Sequence, residues 1–426
     1  MSLIKYNHYC YLHVMKIKLF LFIAAALVSI QLSAQEAFLG SWSGKLTAGQ
    51  TTLTLVINLT PGQDGVLECT MDSPDQGAKG IKATAEISNL GSLEVNVASL
   101  GASYKGILMG NSLIGTFRQL GQEFPLTLTK GVEQLKRSQV PSAPFPYTEE
   151  EVTFTNENAG ATLAGTLVIP ENAAPGSPVV IFVTGSGQED RNEEIYDHKP
   201  FLILADYLAR HGIASLRYDD RNFGASRGGN VKDATTNDFA EDAEAGIRFL
   251  KERGCFGKLG VIGHSEGGNI AFLLGATGEV DFIISLAGVG VKGDEALMAQ
   301  ANRVFELQGS DQRYTLQSFR STVLAQNNAW LSWFINYDPS QDIKNCRCPV
   351  MAVNGDKDCQ VISAINLPGI KANLPDNPSN VIKEYPGLNH LFQHCDTGLP
   401  TEYRQIEETF STEVMSDISD WIIQQK

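Results

Sequence analysis

The sequence predicts an α/β protein with a mostly parallel, doubly wound sheet, preceded by a small all-β domain. Up to about residue 131, short runs alternate between apolar and polar residues and are broken by Gly, Pro, Asn and Asp, as in antiparallel strands. A proline-bearing segment follows. Beyond it, short apolar runs alternate with longer amphipathic stretches, which is typical of a parallel sheet flanked by helices. A chain of 426 residues is also long enough for two domains.

The segment 1–35 has the layout of a secretory signal peptide. Three lysines and no acidic residue precede the apolar run 19–32, and small residues follow it. The run is shorter than the roughly 18 residues that a membrane span needs. We therefore expect cleavage near Ala34 or Gln35 and export to the periplasm or the extracellular space, with no stable membrane anchor.

The composition excludes some partners. The formal net charge is −15, and loss of the three signal-peptide lysines makes it −18. Such an acidic protein repels nucleic acid and anionic lipid, so neutral or cationic small molecules suit it better. The seven cysteines show no metal-site spacing, and we expect no metal and no cofactor. We expect Cys359 and Cys395 to be two buried free thiols by default, although a disulfide between them is possible in an oxidising compartment.

The N-terminal domain is expected at 36–135, as a small antiparallel sandwich or barrel. Its clearest strand is Leu53–Leu59, where alternate residues are apolar. Trp42, near the start, could stack on a sugar and give this domain a carbohydrate contact, although an aromatic residue in a strand usually packs in the core. The following segment 136–150 carries three prolines and few large aliphatic residues, so we expect an extended linker.

The second domain is expected at 151–426. Predicted strands lie at 179–184, 213–218, 259–262, 282–286 and 350–353, and predicted helices lie at 201–211, 238–253 and about 404–423. A mainly helical insertion at about 293–345 follows one of the core strands. It carries the aromatic residues Phe305, Trp330, Trp333 and Phe334. These side chains could line a pocket or hold the insertion on the core.

A candidate nucleophile lies between a buried strand and a helical pattern. The segment Gly263-His264-Ser265-Glu266-Gly267 matches the pattern G-x-S-x-G and ends the strand at 259–262. In that context the serine occupies a tight turn, and the following helix directs its N-terminal amides at a developing oxyanion. Ser265 is the predicted nucleophile.

The candidate base is a histidine near the C-terminus. A serine hydroxyl is a weak nucleophile at neutral pH and needs a base that accepts its proton. His390 and His394 follow the last predicted strand, in agreement with the chain order nucleophile, acid, histidine. We prefer His390, because Gly387 and Asn389 allow a sharp loop before it, and we expect His394 in a turn at the surface.

From about Tyr147 onward the chain resembles the alpha/beta-hydrolase superfamily, in its bacterial serine esterase branch with the elbow GHSEGG. Further matching segments are Gly185–Arg191, Arg217–Arg221 and Asn354–Val361. The resemblance implies an alpha/beta-hydrolase fold, a Ser, Asp and His triad, and acyl-enzyme chemistry on carboxylic esters. Asn222 stands where relatives commonly have Gly, and Asn tolerates the positive φ of that turn better than most residues.

The resemblance also implies the remaining site residues. The acid comes three residues after Gly355, which is Asp358, and Asp356 is the alternative. The backbone amides of Ser186, with Gly187 next, and of Glu266 would form the oxyanion hole. The expected function is a secreted or periplasmic serine carboxylesterase for small acyl or aryl esters. A serine peptidase, an acyltransferase and a non-catalytic carbohydrate-binding envelope protein remain as alternatives.

Overall fold

The computed structural model describes residues 35–49, 51–62, 66–88, 91–133, 135–174 and 176–425. The predicted signal peptide, apart from Gln35, lies outside these ranges. The chain divides into two compact units, Met1–Gln134 and Leu135–Lys426. None of the helices in the described ranges combines the length and the apolar character needed to cross a membrane.

The first unit is a closed antiparallel barrel, the second of the two predicted architectures. Its strands pair in chain order, and Ser43 of the first pairs with Thr129 of the last. The strands are β1 (Gly40–Ala48), β2 (Thr51–Pro61), β3 (Leu67–Ser73), β4 (Ala78–Ile87), β5 (Ser92–Val97), β6 (Ala102–Met109), β7 (Ser112–Gln119) and β8 (Gln122–Lys130).

Trp42 lies inside the barrel. Its side chain is fully buried, and its indole N–H donates to the carbonyl of Phe38 at 2.6 Å. A buried indole needs such a partner, and the contact fixes the ring within the barrel core. Trp42 therefore packs in the core and is not available to stack on a sugar.

The second unit is built on a mixed sheet in which, within the described ranges, six neighbouring strands run parallel and extend to one edge of the sheet. The strand order is β13-β10-β12-β11-β14-β15-β16-β17, and β9 pairs with β10. The strands β12, β11, β14, β15, β16 and β17 run parallel, whereas β9 and β10 are antiparallel to their neighbours. Their bounds are β9 (Tyr147–Asn156), β10 (Ala161–Pro170), β11 (Val179–Val183), β12 (Ala214–Tyr218), β13 (Arg227–Gly228), β14 (Leu259–His264), β15 (Phe282–Leu286), β16 (Val350–Gly355) and β17 (Val381–Tyr385).

Helices cover both faces of this sheet, which is the predicted doubly wound arrangement. Alternate residues of β11 belong to different cores: Ile181 packs with helices on one face, and Phe182 with helices on the other. Strands that are buried on both faces have nearly continuous apolar sequences. The helices are α1 (Pro200–Arg210), α2 (Thr236–Arg253), α3 (Glu266–Thr277), α4 (Gly293–Leu307), α5 (Leu316–Leu324), α6 (Ala329–Phe334), α7 (Ser340–Asn345), α8 (Ser363–Asn373), α9 (Pro400–Tyr403) and α10 (Thr412–Gln424).

Two sequence-based expectations need correction. The last helix, predicted from about residue 404, begins at Thr412, and residues 404–411 form a loop instead. The antiparallel strands β9 and β10 were not predicted, because β9 carries three glutamates in a row and β10 has Gly and two threonines among its apolar residues. The helical insertion is present as α4 to α7, between β15 and β16.

The structure also revises the predicted linker at 136–150. Its last residues already belong to β9, and its first residues are part of the second unit, where they contact the loop at 404–411. The guanidinium of Arg137 donates to the carbonyls of Arg404 at 2.7 Å and Ile406 at 3.0 Å. The side chain of Gln139 donates to the carbonyl of Phe410 at 2.7 Å and accepts from its amide at 3.1 Å. These two side chains satisfy backbone groups of the loop that replaces the predicted helix start.

Two shortened chains test this role of the segment. A chain that begins at Leu135 keeps Arg137 and Gln139, whereas a chain that begins at Pro141 lacks both. We expect the longer chain to melt several degrees higher, because each lost hydrogen bond to the loop backbone costs on the order of 1 kcal/mol. Circular dichroism melting curves give the two Tm values. Arg137→Ala in the full chain is the control and should lower Tm in the same direction; equal Tm values would contradict the interpretation.

Candidate active site

Ser265 occupies a strained turn between β14 and α3. Its backbone has φ 55° and ψ −116°, a conformation that L-residues rarely adopt and that costs about 1–3 kcal/mol. Two backbone hydrogen bonds hold it: the Ser265 amide donates to the carbonyl of Leu286 at 2.8 Å, and its carbonyl accepts from Gly268 at 2.9 Å. The surrounding sheet and helix therefore impose the turn.

Glycine is required on both sides of this turn. A Cβ atom at Gly263 would lie 1.8 Å from the carbonyl oxygen of Gly267, and a Cβ at Gly267 would lie 2.2 Å from that of Val183. Backbone atoms cannot move away as a flexible side chain can. The pattern G-x-S-x-G thus reflects how closely α3 packs on β14 and β11.

His390 and Asp358 form a buried pair. The Nδ1 atom of His390 lies 2.7 Å from Oδ2 of Asp358, and both side chains are almost inaccessible to solvent. The other oxygen of Asp358 accepts from the backbone amides of Gln360 at 2.7 Å and Val361 at 2.9 Å. The carboxylate is therefore fixed from both sides and orients the imidazole.

The two alternatives lie elsewhere. Asp356 accepts from the backbone amide of Gly387 at 2.6 Å, at the surface. His394 is exposed and contacts Glu408 at 2.8 Å. Asp356 therefore braces a turn, and His394 is the surface residue that the sequence predicted.

His264 brings the His390 loop against the elbow. Its Nε2 atom lies 2.9 Å from the backbone carbonyl of His390, and the two ring centroids are 4.6 Å apart. Because His264 directly precedes Ser265, the nucleophile and the base candidates share one small region. The Nδ1 atom of His264 contacts Glu193 at 2.7 Å, a contact that sequence reasoning missed.

The predicted oxyanion loop passes next to Ser265. A Cβ atom at Gly185 would lie 3.5 Å from Cβ of Ser265. The amide of Gly185 donates to Glu193 at 3.3 Å, so the next amide along the loop, that of Ser186, is the candidate donor. The amide of Glu266 stands at the first residue of α3, where helix amides lack partners within the helix.

The loop after Ser186 is braced by ion pairs. The guanidinium of Arg191 binds both oxygens of Asp219, each at 3.0 Å, and also reaches Glu151 at 2.8 Å. Such a bidentate pair fixes geometry as well as charge. The turn at Asn222, where relatives commonly have Gly, has φ 57° and is preserved as expected.

Several acidic side chains near the elbow are buried. Burial raises the pKa of Asp220 to about 8 and that of Glu266 to about 7, and it raises the pKa of Glu189 well above its ordinary value. One oxygen of Glu189 has no hydrogen-bond partner among the residues that the structure describes. These carboxyls occur in the matched segments, but their burial depends on long-range packing and was not predicted. In the described ranges, no group of three or more His, Cys, Asp or Glu could hold a metal ion.

Glu266 joins the helical insertion to the elbow. Its carboxyl accepts from the Trp330 indole at 2.8 Å and from the Thr236 hydroxyl at 2.5 Å. Trp330 stacks on the buried ring of Phe334 with centroids 5.0 Å apart, whereas Phe305 packs against Tyr314. Phe334 and its neighbours thus hold the insertion in place.

Cys359 and Cys395 are free thiols. The Cys359 thiol donates to the carbonyl of Gly398 at 3.0 Å, and that of Cys395 to the carbonyl of Gly387 at 3.6 Å. Burial raises the pKa of both thiols to about 12. The structure therefore has the two free thiols that were the default expectation and not the disulfide, with Cys359 buried and Cys395 partly exposed.

The buried carboxyl of Glu266 predicts a pH-dependent stability. Burial raises its pKa from 4.5 to about 7, so the folded chain holds a proton that the unfolded chain releases, and stability is lost as pH rises through this range. Glu266→Gln removes the titrating carboxyl, so the variant does not lose this stability as pH rises. Relative to wild type, the variant should gain about 1–3 kcal/mol in free energy of unfolding between pH 5 and pH 8.

Urea unfolding at the two pH values measures this difference. Glu171→Gln, at an exposed position, serves as the control and should leave the pH dependence as it is in the wild type. If Glu266→Gln follows the wild-type curve at both pH values, the carboxyl is ionised throughout.

Comparisons with known proteins agree with this geometry. Residues 198–307, which include Ser265, match the family described as serine aminopeptidase, S33. The chain is 25% identical over 296 residues to Esterase EstD of Thermotoga maritima, covering 66% of this chain and 68% of that one.

The chain is also similar to two solved structures. Est1E from Butyrivibrio proteoclasticus, bound to ferulic acid, has 17% identity and a TM-score of 0.44 over 64% of this chain and 98% of that one. The Pyrococcus furiosus esterase Pf2001 has 18% identity and a TM-score of 0.46 over 69% and 99%. The doubly wound sheet is that of an alpha/beta-hydrolase fold, and the family match over residues 198–307 and the similarity to EstD support a hydrolase of carboxylic esters.

Proposed function

We propose that this protein is an exported serine carboxylesterase, which hydrolyses small acyl or aryl esters through an acyl-enzyme intermediate. The observation that carries the proposal is the buried contact of 2.7 Å between His390 and Asp358, on a loop that packs against the elbow of Ser265. A serine in a strained turn, beside a histidine oriented by a carboxylate, is the arrangement that acyl transfer requires.

In the proposed mechanism, Oγ of Ser265 attacks the ester carbonyl carbon. Nε2 of His390 takes the hydroxyl proton, and Asp358 keeps the proton on Nδ1 and stabilises the imidazolium. The amides of Ser186 and Glu266 donate to the oxyanion.

The second half of the reaction regenerates the enzyme. Collapse of the tetrahedral intermediate breaks the bond to the leaving alcohol, which receives the proton from His390. Water, deprotonated by the same histidine, then attacks the acyl group on Ser265. The acid leaves, and the serine regains its proton.

The proposed export rests on the segment 1–35, whose basic start and apolar run are typical of a signal peptide. The net charge supports the proposed substrate class, since an acidic surface disfavours anionic molecules and suits neutral or cationic esters.

A second candidate is hydrolysis of aminoacyl amides. It is favoured by the match of 198–307 to the serine aminopeptidase family. The same triad serves both reactions, because its geometry does not choose the leaving group. The two functions differ in the leaving group that is released, and a substrate panel separates them.

The panel tests the proposed function. Purified protein should hydrolyse p-nitrophenyl esters of short acyl chains faster than aminoacyl p-nitroanilides. Ser265→Ala should lower kcat by at least about 10³-fold, because it removes the nucleophile. A phosphonate reagent should label Ser265, as peptide mass spectrometry would detect. Wild-type ester turnover that persists in Ser265→Ala would refute the mechanism, and faster anilide turnover would favour the second candidate.

The acid is tested by a matched pair of substitutions. Asp358→Asn leaves His390 without its carboxylate and with the wrong tautomer, which lowers kcat by roughly 10⁴-fold in a triad of this type. Asp356→Asn removes a carboxylate two residues away that contacts only a surface turn, so it should change kcat less than about tenfold. Ester kinetics below the Tm of each variant decide between them, and the opposite ranking would move the acid to Asp356.

A further inference from the structure

His264 is a buried histidine that the proposed mechanism does not use. It ends β14 and occupies the first variable position of the G-x-S-x-G pattern. Only 5% of the residue is exposed, and both ring nitrogens have partners. A polar side chain so fully buried and bonded holds its neighbours in fixed positions.

The hydrogen-bond partners define the protonation of its ring. The carbonyl of His390 can only accept, so Nε2 of His264 donates to it at 2.9 Å. The carboxylate of Glu193 likewise accepts from Nδ1 at 2.7 Å. Although burial opposes charge on the ring, Glu193 and the two hydrogen bonds raise the pKa of His264 above its ordinary value. The ring is thus an oriented donor at both nitrogens.

Glu193 connects this histidine to the oxyanion loop. Its carboxylate is 2% exposed and lies on a residue with φ 53°. The same oxygen that accepts from His264 also accepts from the amide of Gly185 at 3.3 Å. One carboxylate therefore joins the loop beside Ser265 to the histidine that contacts His390.

Hydrogen bonds inside the loop of His390 also stabilise its shape. The side chain of Asn389 accepts from the amides of Leu391 and Gln393, each at 3.0 Å, and the Phe392 backbone is left-handed with φ 59°. These contacts fix the shape of the loop but not its position over Ser265. The hydrogen bond from His264 to the His390 carbonyl ties the loop to the strand that carries the nucleophile.

We propose that His264 is a positioning residue, which, with Glu193, holds the backbone of His390 so that its ring stays aligned between Asp358 and Ser265. The inference rests on the triad proposed above and adds a residue that acts through His390, without touching substrate. A displacement of about 1 Å in such a group can lower kcat by roughly 10²-fold.

Two substitutions separate positioning from a merely structural role. The amide nitrogen of Gln reaches about as far as Nε2 of His, and that of Asn about as far as Nδ1. His264→Gln can therefore keep the donor to His390 and leave Glu193 unpaired, whereas His264→Asn can keep the donor to Glu193 and leave the carbonyl of His390 free. Both variants replace the imidazole ring by a carboxamide and leave a similar amount of space unfilled. Each variant is therefore the control for the other.

The measurements are kcat and KM for p-nitrophenyl acetate, the rate of phosphonate labelling of Ser265, and Tm. Positioning predicts that His264→Asn lowers kcat and the labelling rate about 10²-fold with KM unchanged, while His264→Gln stays within about tenfold of wild type. A structural role predicts the reverse, because an unpaired buried Glu193 destabilises the fold. Equal kcat in the two variants, or a lower kcat in His264→Gln, would overturn the proposal.

A third variant keeps the proposal falsifiable if both substitutions at His264 impair folding. Glu193→Gln retains an oxygen that accepts from Nδ1 of His264 and removes only the charge. Positioning predicts kcat within about tenfold of wild type. A loss as large as about 10²-fold at unchanged KM would show that the charge of the pair matters, and not the position of the ring. If wild-type protein itself neither turns over esters nor is labelled at Ser265, the proposed function fails, which is distinct from failure at His264.

Discussion

The backbone turn at Ser265 is the constraint on which the geometry of the candidate active site depends. A residue with φ 55° and ψ −116° is stable only if its surroundings over-determine it. The hydrogen bond to Leu286 requires β15 beside β14, and the contact of Gly263 with Gly267 requires α3 to lie directly on the strand. The close packing of the parallel sheet and α3 thus maintains the strained backbone conformation in which Ser265 is partly exposed.

The charges around this turn follow one rule, which is that a buried charge is paired or neutralised. Arg221 binds both oxygens of Asp242, at 2.7 and 2.9 Å, and each side chain is 1% exposed. Glu193 is paired with His264. Among the described residues no cation is paired with Asp220 or Glu266, and burial raises the pKa of the first to about 8 and of the second to about 7, which favours their protonated forms near neutral pH. Carboxyls can be buried beside the candidate active site of this acidic chain only if they are paired with a cation or protonated.

The segment before β9 also supports the candidate active site, although it lies far from His390 in the sequence. Gln139 binds both backbone groups of Phe410, whose ring stacks on Phe392 with centroids 5.4 Å apart. Phe392 lies two residues after His390. The proline-bearing segment resembles a linker, but it contacts the residues that pack against the loop of His390. Arg137 contacts the same part of the chain, because it donates to the carbonyls of Arg404 and Ile406.

The sequence by itself determined the features that depend on local patterns: the alternation of strands and helices, the elbow at Ser265, and the order of acid and histidine. The resemblance to alpha/beta-hydrolases also implied Asp358 as the acid, three residues after Gly355. Only the tertiary structure decided that Trp42 is buried in a closed barrel and that the last helix starts at Thr412. It alone paired Glu193 with His264, 71 residues further along the chain. Local periodicity reflects neighbours in sequence, whereas buried polar partners are chosen by how the whole sheet brings distant loops together.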